Sequence, residues 1–251
     1  MIHFVGAGPG APDLITLRGA KLLGEAGMII YAGSLVNPEL LALAKPEAII
    51  LNSASMTLEE VIEKLREAHE AGLDAVRLHT GDPSIYGAIR EQMDRLRALA
   101  IPFDITPGVS SFCAAAAAAE AEFTLPSVSQ TLIITRMEGR TPVPEKEKIR
   151  LLAQHQASMA LFLSTGLLEG LCSELIAGGY SPETKAVMVY KASWPEEKII
   201  RANLTTLPEL AKEAGIKNTA MILVGAFLGD DYELSKLYDS HFSHGFRKAS
   251  E

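Results

Sequence analysis

The turn Gly81-Asp82-Pro83 combines residue types that together suit a ligand site. Glycine lets a ligand approach the backbone closely, while proline fixes φ and removes an amide donor. The turn can therefore present backbone carbonyls and the Asp82 carboxylate in a set geometry, and such a surface suits a cationic, amino-bearing ligand. A simpler interpretation stays open at this point, because Asp82 or Ser84 can also cap the helix predicted over residues 85–99.

A second glycine-rich segment, Gly6-Ala7-Gly8-Pro9-Gly10, follows the first apolar run and loosely meets the dinucleotide-binding fingerprint. In a pyrophosphate loop the helix begins within the glycine pattern, so that its amides face the phosphates. Prolines interrupt the pattern here, and the predicted N-cap of the following helix is Asp13. The second predicted strand ends at Tyr31-Ala32-Gly33-Ser34, where an acidic ribose ligand would be expected. The segment therefore favours a tight strand-to-helix turn, with a non-catalytic dinucleotide-binding module as the alternative.

The elements that position these turns alternate between strand and helix in the first half of the chain. Short apolar runs predict strands over residues 2–5, 28–31, 48–51, 75–78 and 103–106. The clearest helix between them covers residues 57–71, where Thr57-Leu58-Glu59-Glu60 forms a capping box. Such alternation predicts a mainly parallel sheet with helices on its faces. The Gly81 turn then lies at the carboxyl edge of the sheet, where open α/β folds bind ligands.

The pattern changes near residue 120, after an alanine-rich stretch over residues 114–119 that predicts a helix between two lobes. The second half predicts strands over residues 131–135, 159–163, 186–190, 199–202 and 221–224, and a helix over residues 207–213. Residues 194–199 look like a hairpin turn, which makes this sheet mixed. We therefore predict an α/β protein with two α/β domains, residues 1–119 and residues 120–251.

The composition is that of a globular protein without a nucleic-acid or membrane role. The 251 residues carry a formal net charge of −8, which disfavours binding to a phosphate backbone. No apolar stretch is long enough to span a bilayer, and the first residues run into a strand without a basic leader, which predicts a cytoplasmic location. The two cysteines lie far apart and the six histidines lack metal-ligand spacing, so we expect neither a disulfide framework nor a protein-bound metal.

Three motifs taken together resemble those of one known family. They are Gly6-Ala7-Gly8-Pro9-Gly10, Thr80-Gly81-Asp82-Pro83-Ser84-Ile85-Tyr86-Gly87 and Thr106-Pro107-Gly108-Val109-Ser110-Ser111. Their order and spacing are similar to those of the tetrapyrrole methylase family, and the likeness covers nearly the whole chain. The family includes uroporphyrinogen-III and precorrin methyltransferases and diphthine synthase.

Within this family the chain looks most like the precorrin-4 C(11)-methyltransferases. The segments that carry this likeness are Tyr31-Ala32-Gly33-Ser34-Leu35-Val36, residues 135–142, Tyr190-Lys191-Ala192-Ser193-Trp194-Pro195, residues 235–239 and His244-Gly245-Phe246-Arg247. The resemblance implies methylation of C-11 of precorrin-4 or cobalt-precorrin-4 in cobalamin biosynthesis, and residues 136–144 and the tail favour the cobalt-containing branch. The alternatives are another precorrin or uroporphyrinogen-III C-methyltransferase and a diphthine-synthase-like protein methylase.

The resemblance also implies a homodimer and S-adenosylmethionine bound in an active-site cleft between the two domains. Carried over by motif, the cofactor contacts are Pro9, Thr80, Gly81, Asp82, Ile85, Tyr86, Ser110, Ser111, Leu163, Ser164 and Ala192. The residues hypothesised to bind the carboxylates of a tetrapyrrole substrate are Arg136, Arg140 and Lys191, because basic side chains pair with carboxylates. The sequence shows no catalytic Ser-His-Asp or Cys-His constellation, and methyl transfer from a sulfonium demands mainly alignment.

Overall fold

A computed structural model describes residues 1–249. The chain forms two compact units: unit 1 contains residues 1–114 and 191–197, and unit 2 contains residues 115–190 and those from 198 onward. The described residues contain ten strands in two five-stranded sheets. The domain limits at residues 119 and 120 stay a prediction.

The strands are, in chain order, β1 Ile2–Gly6, β2 Met28–Tyr31, β3 Ile49–Asn52, β4 Ala75–His79, β5 Phe103–Thr106, β6 Leu132–Arg136, β7 Ser158–Phe162, β8 Lys185–Tyr190, β9 Lys198–Asn203 and β10 Ala220–Val224. The α-helices are α1 Leu17–Glu25, α2 Leu58–Glu70, α3 Ile89–Ala98, α4 Ser111–Ala118, α5 Ile149–Leu152, α6 Leu168–Ala177 and α7 Leu207–Glu213. Every strand predicted from the sequence is present, with bounds that differ by one residue at most.

The sheet of unit 1 is entirely parallel, as the alternating pattern predicts, with the strand order β3-β2-β4-β1-β5. Strands β1 and β4 lie inside the sheet and are buried at every position. Apolar residues of β1 and β2 pack against α2 and α3 on one face, and against α1 and the short helix Pro38–Leu43 on the other. Two covered faces explain the continuous apolar runs of these strands.

Helix α2 confirms the predicted capping box. The Thr57 side chain accepts a hydrogen bond from the Glu60 amide at 3.2 Å, and the Glu60 carboxylate accepts one from the Thr57 amide at 2.7 Å. These two bonds satisfy amides that have no partner within the first helical turn. Val61, Ile62, Leu65 and Ala68 form the buried face of the helix, with Leu65 fully excluded from solvent.

The first helix begins later than the sequence suggests. The predicted N-cap, Asp13, lies inside a short 3₁₀ helix, Pro12–Leu14, and caps nothing. Instead the Thr16 hydroxyl accepts a hydrogen bond from the Gly19 amide at 3.1 Å, so that α1 starts at Leu17. The prolines around Asp13 separate the glycine segment from the helix that follows it.

The helix after β4 also begins later than predicted, at Ile89 and not at residue 85. The reason lies in the turn before it, because Tyr86 and Ala88 adopt left-handed conformations with φ of 55° and 49°. Its N-cap, Ala88, offers no side-chain cap. The interpretation of Asp82 or Ser84 as the cap of this helix is therefore wrong.

The sheet of unit 2 is mixed, as predicted, with the strand order β6-β7-β10-β8-β9. Strands β6 and β7 are parallel, and the remaining pairs are antiparallel. One face of the sheet, including Met159, Leu161, Met188 and Ile222, packs against helices α5, α6 and α7. The hairpin turn predicted over residues 194–199 covers residues 191–197 instead, because β8 ends at Tyr190 and β9 begins at Lys198.

No helix within residues 1–249 combines the length and the apolar character that crossing a bilayer requires.

Candidate functional site

Three loops of unit 1 follow neighbouring strands at one edge of the parallel sheet. They follow the carboxyl ends of β4, β1 and β5, which lie side by side in the sheet. The carboxyl edge of the strands is the usual place for a ligand in an open α/β sheet.

The three loops approach each other through glycines, and we call Gly6, Gly81 and Gly108 the glycine-packed edge. A Cβ atom on Gly6 would lie 2.6 Å from both the Gly108 Cα and the Gly81 carbonyl oxygen. One on Gly108 would lie 2.2 Å from the same carbonyl oxygen. These gaps are too small for any side chain, so the sequence must place glycine at both positions.

Backbone hydrogen bonds hold two of these loops together. The Gly81 amide donates to the Gly8 carbonyl at 2.8 Å, and the Gly8 amide donates to the Gly81 carbonyl at 3.3 Å. The Ala7 amide continues the β1–β4 ladder by donating to the His79 carbonyl at 2.7 Å. Both Gly8 and Gly81 have φ values in the left-handed region, 79° and 62°, which glycine adopts without strain.

The Asp82 carboxylate joins the loop after β4 to the loop after β5. Its Oδ2 accepts a hydrogen bond from the Gly108 amide at 2.9 Å, and its Oδ1 accepts from the Ser84 amide at 2.9 Å and from the Ser84 hydroxyl. Partial burial would raise the pKa of this carboxyl, but the hydrogen bonds from Ser84 and Gly108 outweigh it and hold the pKa below its usual value. Asp82 is therefore an ionised brace between two backbone turns.

Two polar atoms next to this brace are buried and have no protein partner. They are Nε2 of His79, the last residue of β4, and the hydroxyl oxygen of Thr80. Burial, together with the nearby charge of Arg77, lowers the pKa of His79 to about 3, so its ring is neutral at physiological pH. Unpaired buried polar groups are costly in a folded protein. Their position at the sheet edge is consistent with a polar ligand that completes them.

Arg77 is a buried charge on the same strand as His79. Its guanidinium donates to the Gln92 side chain at 3.1 Å and to the Ile30 carbonyl at 3.0 Å. Burial lowers the pKa of Arg77 to about 10, which leaves it protonated at neutral pH. It therefore supplies a fixed positive charge inside unit 1.

The remaining predicted contacts of unit 1 lie in two segments beside the edge. Ile85 and Tyr86 belong to the turn before α3, and Ser110 and Ser111 begin α4. The Ser110 carbonyl accepts hydrogen bonds from the amides of Cys113 and Ala114 at 3.0 and 3.3 Å, and Ser110 is buried. The structure thus brings Pro9, Thr80, Gly81, Asp82, Ser110 and Ser111 to the same three loops.

The glycine segment has the wrong hydrogen bonds for a pyrophosphate loop. The Ala11 amide donates to the Ser193 hydroxyl, and the carbonyls of Pro9 and Gly10 accept from Trp194 and Asn37. No α-helix begins within the glycine pattern, since α1 starts at Leu17. The amides that would bind phosphates are therefore not aligned at a helix N-terminus, which argues against the dinucleotide-binding alternative.

The predicted contacts of unit 2 lie where the parallel strands β6 and β7 end. The Ser164 hydroxyl donates to the Phe162 carbonyl at 2.7 Å and accepts from the Met137 amide at 2.9 Å, which ties the two strand ends together. Ser164 is fully buried, whereas Leu163 is 67% exposed and left-handed, with φ of 51°. A non-glycine residue in this region costs about 1–2 kcal/mol, and such strain often marks functional positions.

Arg136 ends β6 and holds the loop that follows it. Its guanidinium donates to the carbonyls of Met137, Thr141 and Pro142 at 3.3, 3.2 and 2.8 Å. These bonds occupy three of its five N–H donors. Arg140 lies exposed on the same loop. We call residues 136–142 the Arg136 loop.

Lys191 and Ala192 belong to the turn 191–197 of unit 1. Ala192 is buried, and Lys191 is left-handed, with φ of 46°. The Lys191 ammonium lies 3.6 Å from the Glu196 carboxylate and 5.2 Å from the centre of the Trp194 ring. The predicted site residues are thus divided, with Leu163, Ser164, Arg136 and Arg140 in unit 2 and the others in unit 1.

The sequence did not predict the contacts that fix the glycine segment. Asn37, Ser193 and Trp194 make them from positions distant in the sequence, and no local pattern indicates such pairs. Among residues 1–249, no three or more His, Cys, Asp or Glu side chains are grouped to hold a metal ion. The absence of a protein-bound metal stays a prediction.

Comparison with known proteins matches the chain over nearly its whole length. A family model for tetrapyrrole (corrin/porphyrin) methylases matches residues 1–208. A cobalt-precorrin-4 C(11)-methyltransferase from Methanocaldococcus jannaschii is 55% identical over 249 residues, which cover 99% of this chain and 96% of that protein.

Solved structures agree with the sequence comparison. The X-ray structure of a cobalt precorrin-4 methyltransferase matches with a TM-score of 0.89 and 49% identity, over 91% of this chain and 95% of that one. A uroporphyrin-III C-methyltransferase from Thermus thermophilus, in complex with S-adenosylhomocysteine, matches with a TM-score of 0.75 and 25% identity, over 90% of this chain and 92% of that one.

Proposed function

Because the chain belongs to the tetrapyrrole (corrin/porphyrin) methylase family, we propose that it transfers the methyl group of S-adenosylmethionine to C-11 of cobalt-precorrin-4 or precorrin-4. The product is cobalt-precorrin-5 or precorrin-5, in the biosynthesis of the corrin ring of cobalamin. The observation that carries this proposal is the match to a C(11)-methyltransferase over 99% of the chain. The family resemblance predicted from the three sequence motifs is confirmed.

The glycine-packed edge fits a polar cofactor such as S-adenosylmethionine. Its loops approach too closely for side chains, so a ligand there meets backbone atoms directly. The unpaired atoms His79 Nε2 and Thr80 Oγ1 offer buried hydrogen-bonding capacity beside it. We propose that the cofactor contacts are Pro9, Thr80, Gly81, Asp82, Ile85, Tyr86, Ser110, Ser111 and Ala192 in unit 1, with Leu163 and Ser164 in unit 2.

The cofactor supplies a methyl group on a positively charged sulfur, which is already a good leaving group. The protein then has mainly to align donor and acceptor, and alignment alone contributes about 7–11 kcal/mol in well-oriented reactions. Asp82 contributes by bracing two loops, through its bonds to Gly108 and Ser84. Because these bonds keep Asp82 ionised, its negative charge also favours a cationic ligand.

We propose that Arg140 and Lys191 bind peripheral carboxylates of the tetrapyrrole. Arg140 is exposed on the Arg136 loop, where it can pair with an anionic group. Arg136 uses three of its five N–H donors to shape that loop, so its contribution to substrate binding is partly the placement of Arg140.

We further propose that the protein is a cytoplasmic homodimer and that each chain has two domains, which are divided near residue 120. We also propose that the protein itself holds no metal. Support for self-association comes from the tail, where Leu234, Tyr238 and Phe246 are 82%, 83% and 101% exposed. Large exposed apolar side chains within one segment of the chain favour an interaction surface there. Sedimentation at several protein concentrations tests this, since a monomer at all concentrations would contradict it.

The test of the proposed reaction is incubation with ¹³C-methyl-labelled S-adenosylmethionine and a defined series of tetrapyrroles. The expected result is one new labelled methyl signal, at C-11, with precorrin-4 or its cobalt complex as acceptor. The cobalt-containing and cobalt-free acceptors are compared in parallel to show which is preferred. Label on another carbon, or on no tetrapyrrole while the protein still binds S-adenosylhomocysteine, would contradict the assigned substrate.

A further inference from the structure

The turn 191–197 carries the one tryptophan of the chain, Trp194, and is ordered by its own hydrogen bonds. The Trp194 amide donates to the Lys191 carbonyl at 3.0 Å, and the Glu197 amide donates to the Trp194 carbonyl at 3.0 Å. The Glu197 carboxylate also accepts a hydrogen bond from the Ser193 amide at 2.6 Å. The turn is therefore a folded structure with a fixed shape.

This turn is joined to the glycine segment at consecutive residues. The Trp194 indole N–H donates to the Pro9 carbonyl at 3.0 Å, and the Ser193 hydroxyl accepts from the Ala11 amide at 3.0 Å. Between these bonds the indole lies against Gly10, where a Cβ atom would be 2.1 Å from the indole Cδ1. The indole ring thus requires glycine at position 10.

A third contact completes the support of the glycine segment. The Asn37 side chain, which is buried, donates to the Gly10 carbonyl at 2.9 Å. The segment has no regular structure of its own between β1 and the short helix at Pro12. The Gly8–Gly81 hydrogen bonds fix the first part of this segment, and Trp194, Ser193 and Asn37 fix its second part, from Pro9 to Ala11.

We propose that Trp194 is a positioning residue for the cofactor, whose indole N–H fixes Pro9 relative to Ala192 and Lys191. This inference rests on the proposed function, because Pro9 and Ala192 belong to the proposed cofactor contacts. Through Trp194, two contacts that are 183 positions apart in the sequence become parts of one ordered surface within unit 1. Trp194 acts through the backbone of Pro9.

The main test is Trp194→Phe, which keeps an aromatic ring and removes the N–H donor. A single hydrogen bond contributes about 1 kcal/mol net, so the Kd for S-adenosylhomocysteine should rise about fivefold in calorimetry. The KM for S-adenosylmethionine should rise by a similar factor, while kcat at saturating cofactor stays near that of the wild type. A merely structural role would instead lower the amount of active enzyme and leave this KM unchanged.

Two further variants keep the test decisive. Ser193→Ala removes the acceptor of the Ala11 amide but leaves the indole, and it should raise the same Kd by a smaller factor. If Trp194→Phe does not fold, the Kd of Ser193→Ala for S-adenosylhomocysteine tests the proposal. Tyr232→Phe, which removes one hydroxyl from a half-exposed aromatic ring in unit 2, is the matched control and should bind like the wild type.

Since Trp194 is the one tryptophan, its fluorescence reports directly on the glycine segment. Titration of the wild type with S-adenosylhomocysteine should change its emission saturably, with the Kd found by calorimetry. Wild-type affinity in both Trp194→Phe and Ser193→Ala would overturn the positioning role alone. No binding of S-adenosylhomocysteine by the wild type would overturn the cofactor site as well.

Discussion

The glycine-packed edge of unit 1 and the Arg136 loop of unit 2 both follow the ends of parallel strands, but they are held in different ways. In unit 1 the loops touch backbone to backbone, at distances that leave no room for a Cβ atom. In unit 2 side chains hold the loop, namely Arg136 through three carbonyls and Ser164 through the Met137 amide. No other residue can replace glycine where two backbones lie this close, whereas a side-chain contact can be lost at a limited cost in the free energy of unfolding.

The largest effect should follow from Gly108→Ala, which tests the backbone packing. The new Cβ atom would lie 2.2 Å from the Gly81 carbonyl oxygen, so the backbone of one loop must move. We expect a loss of about 3 kcal/mol in the free energy of unfolding, measured in urea, and loss of detectable S-adenosylhomocysteine binding. Gly24→Ala in α1 is the control, because its nearest neighbour, the Leu43 carbonyl, would be 3.5 Å away. It should be neutral or stabilising.

The Arg136 loop should affect the substrate and not the cofactor. In the double variant Arg136→Ala and Arg140→Ala, the KM for the tetrapyrrole should rise tenfold or more, because a hydrogen bond to a charged group contributes about 1.5–3 kcal/mol. The Kd for S-adenosylhomocysteine should stay near that of the wild type. Arg90→Ala, which removes a surface ion pair with Asp94, is the matched control. Equal losses for both ligands would contradict the assignment of Arg136 and Arg140 to the substrate.

Ser164→Ala removes the side chain that ties the ends of β6 and β7. The Met137 amide and the Phe162 carbonyl would both lose a partner, which should lower the free energy of unfolding by about 2 kcal/mol. Urea unfolding measures this loss. Ser173→Ala is the control, because it removes a hydrogen bond to the Glu169 carbonyl on an exposed helix surface. Its free energy of unfolding should change little. Similar losses in the two variants would mean that Ser164 does not support the loop.

The smallest effect concerns His79 and appears in the dependence of stability on pH. Burial lowers the pKa of His79 to about 3 in the folded state, whereas the unfolded state takes up a proton near pH 6.5. The contribution of the neutral, buried ring to the free energy of unfolding is therefore fully present above pH 6.5 and is lost as the pH falls towards 3. Between pH 7 and pH 5.5 this loss should be about 1 kcal/mol in the wild type.

His79→Gln should remove this part of the pH dependence in urea unfolding. The exposed His155→Gln is the matched control and should keep the slope of the wild type. An unchanged slope in His79→Gln would mean that the ring is not desolvated in the folded protein.

Some features of the two regions can be predicted from local sequence patterns, and others cannot. The strands, the capping box at Thr57 and the glycines of unit 1 have local signals, because burial, helix caps and left-handed turns each require particular residues. The late start of α3 depends instead on left-handed conformations at Tyr86 and Ala88, residue types that do not signal them. Nor does any spacing predict that Trp194 supports Pro9, since that contact exists only once the chain has folded.

The interpretation of Asp82 shows the same limit. The sequence indicates a carboxylate near a ligand, but its role as a brace requires that β5 lie beside β1, which brings the Gly108 amide within 2.9 Å. The loops of unit 2 gave weaker signals, because Arg136 and Ser164 are ordinary residue types in strand ends. Their roles in substrate and cofactor binding stay proposals that the family motif supports.

The most direct test of the account is calorimetric titration of Asp82→Ala with S-adenosylhomocysteine. Circular dichroism establishes that the variant is folded, and Asp94→Ala, which loses only exposed ion pairs with Arg90 and Arg97, is the control. Loss of the ionised brace between Ser84 and Gly108 should weaken binding about tenfold or more, while the control binds like the wild type. Wild-type affinity in folded Asp82→Ala would contradict the claim that this edge forms the cofactor site.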